Sequence, residues 1–219
     1  MATDETTAEG TPLPQTDLRQ LRQLRQQLAD RFREVNGDHP MTAADDAYVS
    51  AQYTPLEELC TDRDATEVRR LMLARRLPLP GYLRSDGAEM VPADLFALAD
   101  EAGGTERLHA WFTAHWTDPA AAEEEWQAYL SGQYVCLRSV TPATIQRKEQ
   151  LTAAIGAAPG EPAAGTTRWT VRLHALIDEL DALEPAFTAY DRLRFGGPTS
   201  RDTCIDAMRA RFPRPERVR

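Results

Sequence analysis

Apolar residues recur every three or four positions along most of this chain, and the stretches between them are punctuated by proline, glycine and helix-capping residues. Leu18, Leu21, Leu24, Leu28, Phe32 and Val35 form one such stripe, which predicts an amphipathic first helix capped by Thr16, with glutamine and arginine on its other face. Thr42 with Asp45 and Asp64 with Glu67 have the spacing of capping boxes, and Thr54 before Pro55 reads as a further helix start. The pattern changes in LPLPGYLRSDGAEMVP, where short apolar segments flank Ser85, Asp86 and Gly87 and predict a small β-hairpin. Helical spacing resumes in DLFALADEA, again from Thr105, and again from Asp118 and Pro119 up to Gly132.

QYVCLRSV is the one mid-chain run of strand-like composition, and its position between two helices makes it a buried connection or irregular strand. Thr141 and Pro142 open another helix, and AAPGEPAAGTT reads as a surface loop. Trp169, Leu173, Leu176, Ile177, Leu180 and Leu183 form the face of the next helix, which Pro185 breaks. A shorter helix runs into Gly196 and Gly197, and Thr199 or Ser200 caps the last one. The sum predicts a mainly α, multi-helix globular fold with one small β-hairpin. Its regions are a disordered tail over 1–15, a helical region over 16–104, a second helical region with the candidate site over 105–212, and a basic tail over 213–219.

Composition narrows the function classes. The chain has 219 residues, 25 Lys plus Arg against 34 Asp plus Glu, and a net charge of −9. Residues 84–131 are predominantly acidic, which disfavours nucleic acid as a partner there. No run approaches the roughly 20 apolar residues of a membrane span, and the polar, acidic first residues do not resemble a leader, so a cytoplasmic protein is expected. Cys60, Cys136 and Cys204 are odd in number and far apart, the pattern of free thiols rather than of a disulfide framework or zinc site. His109 and His115 are six apart and cannot share a metal in the i, i+4 manner, so no metal is expected. Lys148 is the single lysine, placed among polar helix residues, which argues against Schiff-base chemistry. Phosphate-loop, dinucleotide and nucleophile-elbow patterns are missing, and no cofactor is expected.

Two resemblances follow from longer stretches. The order of elements from Thr54 to Ala102 resembles the winged helix-turn-helix of MerR-type regulators. That resemblance implies a winged-helix-like N-terminal part packed on a helical C-terminal part, with Arg69, Arg70, Arg75 and Arg76 as groove contacts and the hairpin around Arg84 as the wing. Separately, LPLPGYLRSDGAEMVPADL, EEEWQAYLSGQYVCLRSVTPATIQRKEQL and LDALEPAFTAYDRLRFGGPTSRDTCIDAM are similar to an uncharacterised actinobacterial family associated with natural-product biosynthesis by gene neighbourhood. That likeness implies a link to secondary metabolism and assigns no catalytic residue.

The densest group of reactive side chains lies between Glu123 and Arg138. Glu125 and Tyr129 are four apart on one helix face, and Tyr134, Cys136 and Arg138 would alternate onto one side of an extended segment after Gly132. Glu125, Tyr129 and Tyr134 are therefore the candidates for proton transfer and orientation, with Arg138 and Cys136 on the substrate. Asp191 and Arg194, before the Gly196–Gly197 pair, are a second candidate group for an anion. Taken singly, each has a plainer reading: Trp126 and Tyr129 as core aromatics, Cys136 as a small buried residue, Arg138 as partner of a surplus acid, and the glycine pair as a helix stop. The expected function is a small cofactor-independent enzyme acting on a biosynthetic intermediate, free or carrier-bound, by general acid and base catalysis in a cyclisation, isomerisation or dehydration. The alternatives are a winged-helix regulator and a non-catalytic adaptor that docks through the first helix or the basic tail. The first helix could also pair two copies of the chain.

Overall fold

The structure, a computed structural model, describes residues 15–214; the side chain of Thr16 and most of the two expected tails lie outside what it describes. The first helix, α1 (Gln15–Asn36), turns the later part of its stripe inward, with Leu28 and Phe32 fully buried and Leu18 left exposed. Thr42 and Asp45 form the expected reciprocal capping box on α2 (Ala43–Gln52). The chain then departs from the expected helix start, because Thr54–Pro55 is a short strand, β1, and α3 begins at Leu56 (Leu56–Leu59). Pro55 has extended backbone angles, φ −54° and ψ 138°, and a residue without an N–H is tolerated on an edge strand. Asp64 caps α4 (Ala65–Leu73) through the N–H of Thr66, but the box is not reciprocal, since Glu67 turns to Arg70 instead.

The hairpin forms as β2 (Tyr82–Leu83) and β3 (Glu89–Val91), with Ser85, Asp86 and Gly87 in its turn. β1 adds on the other edge of β3, so the strand order is β1-β3-β2 and both pairings are antiparallel. Helices α5 (Ala97–Glu101), α6 (Thr105–Thr113) and α7 (Pro119–Leu130) follow. Asp118 caps α7 as expected, whereas α6 is led by Gly104, and the Thr105 hydroxyl accepts from Arg76. QYVCLRSV is neither strand nor simple coil: Gln133–Cys136 is a 3₁₀ turn that Leu137 leaves in extended conformation. The remaining helices are α8 (Pro142–Ala157), α9 (Thr167–Leu183), α10 (Ala189–Arg194) and a π-helical stretch, Arg201–Asp206, continuing into α11 (Ala207–Arg211). The result is the mainly α fold read from the sequence, with one small sheet.

Three cores hold these elements. The largest joins Leu28, Val68, Met72 and Val91 to Phe112, Trp126, Tyr129 and Leu137, so it draws on residues from both sides of 104–105. A second lies between α8, α9 and the C-terminal helices, around Leu151, Ile155, Trp169, Ile177 and Ile205. A third packs Tyr82 and Met90 of the sheet on Val49, Val135 and Tyr190. No described helix is long and apolar enough to cross a membrane.

Candidate active site

Where the sheet, α7 and the 3₁₀ turn meet, the largest core opens to the surface. A narrow inner chamber of about 50 Å³ is walled by Leu79, Leu95, Leu98, Val140 and the aromatic faces of Tyr53 and Tyr129. A wider mouth of about 420 Å³ lies beside it, reaching Tyr48, Gln52 and Pro185. Tyr53, Pro92, Asp94, Leu137 and Arg138 line both, so chamber and mouth form one funnel with an apolar base and a charged rim.

Each wall has a local cause. Tyr129 comes from the last turn of α7, with its ring stacked on Phe112 at 5.2 Å between centroids. Its hydroxyl makes no hydrogen bond within the described residues, and burial, helped by the nearby Asp94 charge, pushes the phenol up, so it stays protonated. Tyr134 enters on the 3₁₀ turn that follows Gly132. Gly132 adopts φ +72°, and a Cβ there would lie 2.6 Å from the Pro80 carbonyl oxygen, so only glycine lets the chain turn this close to the floor of the chamber. Arg138 follows in the extended segment, tied to the end of α9 by its N–H donating to the Leu183 carbonyl at 2.9 Å. Its side chain is exposed and has no ion-pair or hydrogen-bond partner among the described residues. Asp94 stands in the turn after β3, accepting from the Ser139 hydroxyl at 3.2 Å. Tyr48 donates to the Ala186 carbonyl at 2.6 Å and Tyr53 to the Val135 carbonyl at 3.4 Å; burial raises both phenols.

Of the residues singled out in the sequence, Tyr129, Tyr134 and Arg138 meet in this funnel, and four do not. Glu125 lies outside it: it lines neither the chamber nor the mouth, and burial and the nearby charges of Glu149 and Glu124 raise its carboxyl. Cys136 would have shared a side with Tyr134 and Arg138 in an extended strand, but a 3₁₀ turn rotates it away. It sits instead beside Lys148, whose amine pairs with the fully buried Glu184 at 2.9 Å. Burial pulls the Lys148 ammonium down, and Cys136 and Glu184 outweigh that, leaving it raised. The lysine is therefore an internal strut of α8 and α9 and not the solvated helix residue that its neighbours in sequence suggest.

Asp191 and Arg194 are the other two corrections. Asp191 is buried, caps α10 by accepting from the Thr188 N–H at 2.8 Å, and accepts from the Tyr82 hydroxyl at 2.8 Å. The Arg194 guanidinium donates to the Asn36 side-chain oxygen at 2.7 and 3.0 Å, to the Gly81 carbonyl at 2.7 Å and to the Gly132 carbonyl at 2.8 Å. With its donors spent on neutral oxygens it cannot serve as an anion anchor. Gly81 and Gly132 both line the chamber, however, so Arg194 pins two of its wall segments from behind. Asp94, Tyr53 and Tyr48 are the funnel residues that sequence spacing missed. Each lies in a different element from α7, and nothing local ties them to Tyr129.

Three of the four arginines expected as groove contacts, and Arg84 of the hairpin, are engaged within the chain, whereas Arg75 is exposed with no side-chain partner among the described residues. Arg69 is 1% exposed and donates to both oxygens of buried Glu89, at 2.9 and 3.0 Å, and also to Glu57. Arg70 pairs with Glu67 at 3.2 Å, Arg76 with Glu106 and the Thr105 hydroxyl, and Arg84 with Asp86 at 2.6 Å.

The fold and its funnel thus define a mainly α-helical protein with an apolar, charge-rimmed cavity at a helix–sheet junction. Residues 108–213 are similar to a family of unknown function (DUF6058), a match that takes in Tyr129, Tyr134 and Arg138 but not Tyr48, Tyr53 or Asp94. No curated protein and no solved structure matches the chain.

Proposed function

We propose that the chain is a small enzyme that binds a carboxylate-bearing molecule in this funnel and moves a proton on it. The observation that supports this reading is an unpaired guanidinium and an unpaired phenol around one apolar cavity, since polar groups left without protein partners at a concave site are available to a ligand. Arg138 would hold the carboxylate by a charge-assisted, two-pronged contact. Asp94 would accept a proton from the substrate, and Tyr129, kept protonated by its surroundings, would give one to the group that gains electrons. Tyr134 would orient the substrate between them, and Arg194 acts only as a positioning residue. The likeness of the longer stretches to a biosynthesis-associated family supports a substrate from secondary metabolism.

Native mass spectrometry of the purified chain, incubated with a bacterial metabolite extract, tests the proposal. A retained or consumed small molecule is expected, lost in Arg138→Gln and retained without turnover in Tyr129→Phe. Failure to retain anything, or equal retention by Arg138→Gln, would overturn it.

A second reading, a winged-helix DNA-binding module over residues 43–91, is favoured by the order α2, β1, α3, α4, β2, β3 and the strand order β1-β3-β2. It would have to do without Arg69, and a salt-dependent shift of duplex DNA would support it.

A further inference from the structure

The funnel rim carries both signs of charge. Arg138 and Asp94 both line the chamber and the mouth, yet they form no ion pair with each other, and the hydroxyl of Ser139 is the only side chain bonded to Asp94 among the described residues. Two unpaired groups of opposite charge lining one cavity are available to a ligand that carries both signs of charge. The chamber behind them is apolar, with Pro78, Leu79, Leu95, Leu98, Leu137 and Val140 on its walls. Its volume of about 50 Å³, against roughly 10–15 Å³ for one water, admits about four heavy atoms.

We infer that the ligand of the funnel is a free α-amino acid with a short apolar side chain, its carboxylate on Arg138, its ammonium on Asp94 and its side chain in the chamber. This rests on the proposed function and narrows it to a substrate class: the ligand's ammonium stays protonated and is held by the Asp94 carboxylate as an ion pair, while its carboxylate is held by Arg138. An isobutyl or isopropyl group fills the chamber, hydrogen leaves it empty, and an indole does not enter.

Isothermal titration of the full chain with L-leucine, 4-methylpentanoate and 3-methylbutylamine tests the inference, because the last two keep the side chain and remove one charge each. L-leucine is expected to bind about tenfold or more tightly than either, the worth of one hydrogen bond to a charged group. Glycine and L-tryptophan should bind more weakly than L-leucine. Asp94→Asn should abolish the preference for L-leucine over 4-methylpentanoate, and Arg138→Gln the preference over 3-methylbutylamine. Both side chains are exposed, so unchanged circular dichroism will confirm that the variants fold. Equal binding of L-leucine and 4-methylpentanoate overturns the amino-acid inference and leaves the carboxylate reading standing. Binding of none of the three at millimolar concentration also overturns it, while the extract experiment decides the broader proposal separately.

Discussion

Arg69 and Arg194 both bring a guanidinium into the interior, and their surroundings differ in kind. Arg69, beneath the sheet, faces two carboxylates, Glu89 and Glu57; burial alone would lower its pKa, but those charges outweigh it and the net shift is upward. Arg194, behind the funnel, faces the neutral oxygens of Asn36, Gly81 and Gly132 and the rings of Phe32, Tyr82 and Phe195 at 5.5–5.8 Å, and burial leaves its pKa lowered. One arginine neutralises charge, whereas the other organises backbone. The first arrangement ties α4 to the sheet, and the second holds the turn at Gly132 against the loop at Gly81, where the chamber forms. An arginine whose charge is already matched is replaceable in principle by apolar residues together with its partner. One that satisfies carbonyls by the geometry of its fork is not.

The largest expected effect sharpens that contrast. Arg69→Met strands the buried Glu89 carboxylate and should cost about 3–5 kcal/mol in urea denaturation, while the double variant Arg69→Met/Glu89→Leu should regain most of it. If the double variant is as unstable as the single one, the pair is not a replaceable charge match and the comparison fails. Arg194→Met leaves the Gly81 and Gly132 carbonyls without a donor and should cost about 2–3 kcal/mol, with weaker ligand retention in the funnel. Arg194→Lys should not rescue it, because a single ammonium cannot reach three acceptors.

A smaller effect concerns pH. Burial would raise the Glu57 carboxyl, but Arg69 beside it outweighs this and holds it below the ordinary 4.5. Its contribution to stability is therefore present above pH 4.5 and is lost as the pH falls through the lowered folded-state value. The urea midpoint of Glu57→Gln should fall less steeply than wild type between about pH 5 and pH 3, by a modest margin because the Glu57 side chain is 46% exposed. An unchanged slope would mean that Glu57 adds nothing to the Arg69 cluster. Smallest of all, Arg70→Ala removes an exposed pair one position along the same helix and should change stability by no more than about 0.5 kcal/mol.

The hairpin, the box at Thr42, the helix start at Thr141 and Pro142 and the long stripes of α1 and α9 were legible because their signals are local: a cap reads the residue three ahead, and a stripe repeats within one helix. The site was legible only in part. Tyr129 and Arg138 were found because both lie within ten residues of chain, yet Cys136 was misplaced between them by assuming an extended run. Alternation holds only at a period of two, and a 3₁₀ turn breaks it. Asp191 and Arg194 have the residue types of an anion site, and their partners, Tyr82, Asn36, Gly81 and Gly132, come from remote parts of the chain. No local pattern distinguishes a donor left for a ligand from one already taken.

By itself the chain's sequence determined a mainly α fold, one hairpin and the caps at Thr42, Asp118 and Thr141, because backbone propensity and periodicity act over a few residues. Tertiary structure alone decided that Thr54–Pro55 joins the sheet, that Lys148, Asp191 and Arg194 are internal fixtures, and that Asp94 and Arg138 line one apolar cavity. Burial and charge pairing are set by contacts between segments tens of residues apart, and those contacts exist only once the helices have packed.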